Sequence, residues 1–269
     1  MPLICNDCGE EIPGEYGEPT KHWKKKHRDL KLPPAFTGTD RKMKKYNTLI
    51  EKLETKTPFA LGRFNDGEML GIWQAGQVVA RGDQLVNEEL RDKLAEALKH
   101  EQKDYWVGLP CSKCFPPHFK IATSMVNSDY PYQTHAVVFT NRHWKNFVDV
   151  FPELIKDRKV YWVGGEDQTT DWLPFDVTTQ YLVPKQDAWS SYGEAKEFIK
   201  DFDEGSVVLI TCGPMARVLV KEWYEKRPDL TIIDIGSTFD PFTRNVWHNC
   251  HKGWEETGFN LTAKCEECN

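Results

Sequence analysis

Between about residues 45 and 245 the chain alternates short apolar runs with amphipathic stretches. Tyr46, Leu49, Ile50 and Leu53, following Lys44, fall at helical spacing, and Thr57-Pro58 closes that helix because the residue before a proline is pushed toward extended backbone. The apolar run Pro58-Phe59-Ala60-Leu61 then reads as a first strand, and Met69, Leu70 and Trp73 fit a short helix after it. Asn87 reads as an N-cap, with Glu88 and Glu89 in the first turn and Leu90, Leu94, Ala97 and Leu98 on one face. Strand-like runs recur at 105–109, 136–140, 160–163, 181–183, 207–211 and 231–235, with helical stretches between several of them. This order predicts an α/β fold, a Rossmann-like, mostly parallel sheet with helices on both faces, whose ligands gather at the carboxyl ends of the strands.

Outside that core the pattern changes. Residues 1–33 form a small module ended by Pro33-Pro34, residues 34–245 the core, and residues 246–269 a tail. In the first module Cys5-x-x-Cys8, thirteen residues and His22-x4-His27 follow the ligand order and approximate spacing of a Cys-Cys-His-His zinc finger. About thirty residues bury too little to fold alone, so a structural zinc on Cys5, Cys8, His22 and His27 accounts for the module. Two further knuckles, Cys111-x-x-Cys114 and Cys265-x-x-Cys268, predict a second, four-cysteine zinc that packs the tail on the core; Cys250 or His251 are alternative ligands, and His118 a spare one.

Composition narrows the partners. With 12% aromatic and 28% charged residues the chain is a folded protein of one main α/β domain with appendages, and a net charge of −6 excludes a general polyanion binder. The basic stretch 21–31 is the exception: Trp23, Lys24, Lys25, Lys26 and Arg28 suit a phosphate-tracking, DNA-binding face, although a solvated helix surface has the same composition. No apolar run approaches the roughly 20 residues that span a bilayer. A basic-then-apolar leader is also missing. Expected are a cytoplasmic location, in a bacterial or phage-infected cell, and no membrane partner.

The chemistry concentrates in Arg63-Phe64-Asn65-Asp66-Gly67-Glu68. Two carboxylates separated by a glycine at a strand's carboxyl end, with an arginine before them, suit a hard divalent ion, manganese or magnesium, held against a diphosphate. The turn Cys212-Gly213-Pro214 precedes a helix whose N-terminus favours anionic oxygen, while Cys212 itself reads as a small buried residue rather than a nucleophile. Glu166, Asp167, Asp234 and Asp240 stand at or just beyond strand ends as candidate general bases; Asp240 is preferred, Asp234 suits the fold or a ribose, and Glu166 the donor's base or sugar.

In order, Arg-Phe-x-Asp-Gly-Glu at 63–68, Gly-Leu-Pro at 108–110, Val-Gly-Gly-Glu at 163–166, Cys-Gly-Pro-x-Ala at 212–216 and Ile-Asp-Ile-Gly at 233–236 resemble the GT-D class of glycosyltransferases. The resemblance implies a divalent ion and a nucleotide-sugar donor at Asp66 and Glu68; a UDP-sugar is expected, with Arg63, Gly67, Glu166, Gly213, Pro214 and Asp234 as the donor-binding residues. The family often continues Asp-Ile-Gly-His, whereas Ser237 follows Gly236 here, so that histidine's role has no counterpart at this position. The zinc finger and basic segment favour a hydroxymethylated pyrimidine in DNA as acceptor, as in bacteriophage genomes masked by sugar. A glycan or glycoprotein acceptor is what the resemblance alone implies, and a non-catalytic, zinc-stabilised nucleic-acid-binding protein is the rival class.

Overall fold

A computed structural model describes residues 45–73, 84–246 and His248, apart from the side chain of Arg142, together with the backbone of residues 3–4, 11–12, 39–44 and 77–79. The finger ligands, the basic segment, Cys250, His251, Cys265 and Cys268 lie outside the described residues. Two short strands, β1 (Leu3–Ile4) and β2 (Glu11–Ile12), pair antiparallel.

The core opens with helix α1 (Thr39–Glu54) and strand β3 (Ala60–Arg63), followed by α2 (Asp66–Trp73) and a small antiparallel pair, β4 (Gln77–Val79) with β5 (Gln84–Val86). Then come α3 (Glu88–Lys99), β6 (Tyr105–Leu109), α4 (Pro116–Met125), β7 (Gln133–His135), α5 (Trp144–Ile155), β8 (Val160–Gly165) and β9 (Thr179–Val183). A one-turn α6 (Tyr192–Ala195), β10 (Val207–Ile210), α7 (Met215–Lys226), β11 (Thr231–Asp234) and α8 (Asp240–Thr243) complete it. Seven strands form one sheet in the order β7-β6-β3-β11-β10-β8-β9, and every neighbouring pair is parallel. The expected α/β architecture is therefore present.

Strand periodicity divides the core between two faces. Tyr161, Val163, Val208, Ile210 and Ile232 face one side with Leu90 and Leu94 of α3 and Val218 and Leu219 of α7. Their neighbours Trp162, Val207, Leu209 and Ile233 face the other, against Leu49 and Leu53 of α1 and Phe147 and Phe151 of α5. The central strands are buried on both faces, which is why they read as unbroken apolar runs. No helix among the described residues is long and apolar enough to cross a membrane.

One expected strand is corrected. Residues 136–140 form successive turns, with Val138 N donating to His135 O and Thr140 N to Val137 O, and the strand precedes them as β7. β6 ends at Leu109 opposite His135, so beyond that pair the ladder has no partner to offer. Val138 and Phe139 are still buried, in the core rather than in the sheet.

Candidate active site

The carboxyl ends of β3, β8, β10 and β11 open into a cleft of about 580 Å³. Its floor is Arg63, Thr211, Cys212 and Gly236; Asp66 and Glu68 of α2 stand on one side, Gln84 and Lys185 on another, and Asp240, Arg244 and His248 at a third. Four separate strand ends therefore supply one pocket, as the parallel topology requires.

A buried charge network underlies the floor. Asp234, fully buried, accepts the Arg63 and Gly236 amides at 3.1 Å each and pairs with Arg217 Nε at 3.0 Å and Arg63 Nε at 3.9 Å. Arg217, on the first turn of α7, also donates Nε to Arg63 O at 2.7 Å and Nη1 to Gly213 O at 2.6 Å, and its Nη2 lies 3.1 Å from Glu68 Oε1. Glu68 Oε2 in turn accepts the Asn65 amide at 3.0 Å. Burial raises the Glu68 carboxyl pKa above its usual value, with Arg217 opposing. Isolated buried charges would neutralise, so the network persists because each one meets an opposite charge and backbone dipoles.

Gly236 serves this packing in two ways. Its φ is +51°, the left-handed region, and a Cβ there would overlap Arg63 Nη2. Gly213 likewise has φ of +63° and sits against Gln84. Gln84 clasps the opposite wall, donating Nε2 to Lys185 O at 2.6 Å and accepting the Ala188 amide at 3.2 Å.

At the third side, Asp240 Oδ2 is 2.7 Å from His248 Nε2 and 3.7 Å from Arg244 Nη1. Asp240 is buried and His248 half-buried, and both line the cleft. Arg244 bridges to Asp167 at 3.1 Å, which Lys185 also approaches at 3.3 Å.

Of the residues singled out by the sequence, Arg63, Asp66, Gly67, Glu68, Gly213, Pro214 and Asp240 come together in the cleft. Two others are placed differently. Glu166 is exposed and does not line the cleft: its amide pairs with Val183 O, and its Oε1 lies 3.5 Å from the amide of Lys185, which does. Asp234 is fully buried beneath the floor and bonded to Arg63, Gly236 and Arg217. Asp167, a candidate base, is held by two cations. Pro214 caps α7 rather than opening it, and the Ala216 and Arg217 amides bond back to Gly213 O and Pro214 O at 3.1 and 3.3 Å. Cys212 is buried and its thiol is pushed up to about 12 by burial, so it is no nucleophile.

Cys111 and Cys114 are buried in the turn after β6, where the Phe115 amide bonds Cys111 O. His118 is buried nearby on α4, with no hydrogen-bond partner for either ring nitrogen among the described residues, and burial lowers its pKa, opposed by Asp66. Among the described residues no group of three or more His, Cys, Asp or Glu side chains is arranged to hold a metal ion.

Arg217 and His248 are functional candidates that sequence reasoning missed. An arginine inside Met215-Ala216-Arg217-Val218-Leu219-Val220, on a helix buried along that stretch, was a usable signal, because such a charge demands a buried acid. For His248 the sequence carries no comparable signal.

The fold is that of known glycosyltransferase structures. A structure described as "A New Glycosyltransferase (DUF1792) from Streptococcus sanguinis" superposes with a TM-score of 0.58 at 19% identity, covering 73% of this chain and 82% of that one. Another, "The highly conserved domain of unknown function 1792 has a distinct glycosyltransferase fold", gives 0.56 at 17% identity, covering 83% and 95%. A selenomethionine-substituted structure of domain of unknown function 1792 gives 0.58 at 16% identity, covering 82% and 94%. No curated protein sequence matches the chain significantly. Residues 41–242 match the GT-D-like family, described as a GT-D fold-like domain. The chain belongs to that family.

Proposed function

We propose that the protein is a divalent-metal-dependent glycosyltransferase that moves a sugar from a nucleotide sugar, of the UDP-sugar kind, to an acceptor hydroxyl. The observation that carries this reading is the convergence of Asp66 and Arg63 with the start of α7 in one cleft at the strand ends. The donor set fits manganese or magnesium: carboxylate oxygens alone, few in number, as expected where phosphate oxygens and water complete the shell. When bound, that ion supplies Lewis-acid neutralisation of the departing diphosphate.

The chain's own residues do the rest. Arg63, kept in place by Asp234 and by the missing side chain at Gly236, adds positive charge where the diphosphate leaves. Gly213 and Pro214 bring the α7 N-terminus to the same side, where its dipole favours anionic oxygen. Asp240 remains the preferred general base, now with His248 bonded to it; the pair would take the proton from the attacking hydroxyl.

For the acceptor we carry forward a hydroxymethylated pyrimidine in DNA, supported by the finger pattern and by Trp23, Lys24, Lys25, Lys26 and Arg28. Such a base must leave the stack to reach the cleft. Structural zinc on Cys5, Cys8, His22 and His27, and on Cys111, Cys114, Cys265 and Cys268, would anchor both ends of the chain. Incubating the full chain with a panel of nucleotide sugars and modified or unmodified DNA, then analysing digested nucleosides by mass spectrometry, tests the acceptor. A sugar on hydroxymethylated DNA supports it; transfer only to a glycan or glycoprotein refutes the DNA acceptor and keeps the transferase. Elemental analysis should find about two zinc ions per chain, four ligands to each, and one ion would remove one of the two sites.

A further inference from the structure

We propose that the two carboxylates of Asp66-Gly67-Glu68 have different tasks: Asp66 alone takes the divalent ion, while Glu68 is a strut that Arg217, as a positioning residue, holds in place. The inference rests on the metal-dependent reading above and deepens it.

Glu68 is already committed at both oxygens. Oε1 faces Arg217 Nη2 at 3.1 Å and Oε2 accepts the Asn65 amide at 3.0 Å, and the side chain is only 9% exposed. Asp66 is half-buried in the cleft wall. The spacing has a local explanation that needs no metal. α2 begins at Asp66, so Asn65 is its N-cap and Glu68 its third residue, the position from which a glutamate bonds back to the cap's amide. That bond fixes the turn carrying Asp66.

Arg217 explains why the strut is rigid. One planar guanidinium reaches Glu68, Asp234, Arg63 O and Gly213 O, joining α2, β11, β3 and the β10–α7 turn. Turning Glu68 toward an ion in the cleft would take from Arg217 one of its two carboxylate partners in a buried setting, a loss that breaking a buried pair makes expensive. An ion that also holds a diphosphate needs only one or two protein carboxylates, so Asp66 suffices.

The test measures the affinity of the folded full chain for UDP with saturating manganese and with chelator, in the parent, Asp66→Asn, Glu68→Gln and Arg217→Met. The parent should bind UDP more tightly with manganese, and Asp66→Asn should lose that gain. Glu68→Gln and Arg217→Met should behave alike, each keeping the manganese effect to within about tenfold, the scale of a disturbed outer shell. Their double variant should be no worse than the poorer single. Arg217→Lys, which keeps the charge but loses the planar fork, should recover part of the loss. If Glu68→Gln abolishes the manganese effect as fully as Asp66→Asn, while Arg217→Met keeps it, Glu68 is a ligand and the proposal is overturned. Should Arg217→Met not fold, the comparison of Glu68→Gln with Asp66→Asn decides alone. A parent with no manganese effect at all would instead remove the metal-dependent reading on which the proposal stands.

Discussion

Gly236 tolerates no side chain as the site is packed. Its positive φ strains every L side chain, and even an alanine methyl would displace Arg63 Nη2. Gly236→Ala should therefore destabilise the fold by about 1–3 kcal/mol. Moving Arg63 should also weaken UDP binding. Thermal unfolding and a UDP titration check both, and an unchanged pair of values would show that Arg63 can step aside. Cys212 makes a chemical prediction. With its pKa pushed up to about 12 by burial, Asp234 adding and Arg217 opposing, about a ten-thousandth of the thiol is ionised at pH 8. Iodoacetamide should leave Cys212 unmodified in the native protein at that pH and label it after unfolding, as peptide mass spectrometry would show.

Helix α3 shows the element scale at its simplest. Asn87 accepts the Leu90 amide at 2.8 Å, Glu88 and Glu89 occupy the positive end, and Leu90, Leu94, Ala97 and Leu98 are buried, all as the pattern predicts. Asn87→Ala should cost about 1 kcal/mol, read as a shift in the denaturant midpoint with no change in slope. Elements of this kind were legible because their determinants lie within a few residues of one another. The segment 136–140 was not: its apolar residues suit a strand, and only the end of β6 at Leu109 decides that they turn instead. Partners far apart in sequence hid more of the site than the strands did. Asp66, Arg63 and Asp240 could be named from motifs and strand ends. Arg217, however, meets Arg63 across 154 positions, and no local pattern announces such a meeting. Glu68 was visible as a carboxylate, but its pairing with Arg217 was not, because the two lie on separate helices far apart in sequence.

Across the whole molecule, the parallel sheet converts dispersed motifs into one cleft. β3, β11, β10 and β8 are adjacent in space, so the residues after each strand meet at one end although they span most of the chain. Two core faces hold that end in place, and the charge network beneath the cleft ties the strand ends to α2 and α7. The proposed activity has this cleft activate a nucleotide sugar through Asp66 and a divalent ion. Release of nucleoside diphosphate from a panel of nucleotide sugars, in the parent and in Asp66→Ala, with manganese or with chelator, tests it most directly. The parent should release it only with the metal, and a folded Asp66→Ala should release at least about a hundredfold less. Equal release by Asp66→Ala in chelator, or none by the parent from any donor, would contradict the proposed activity.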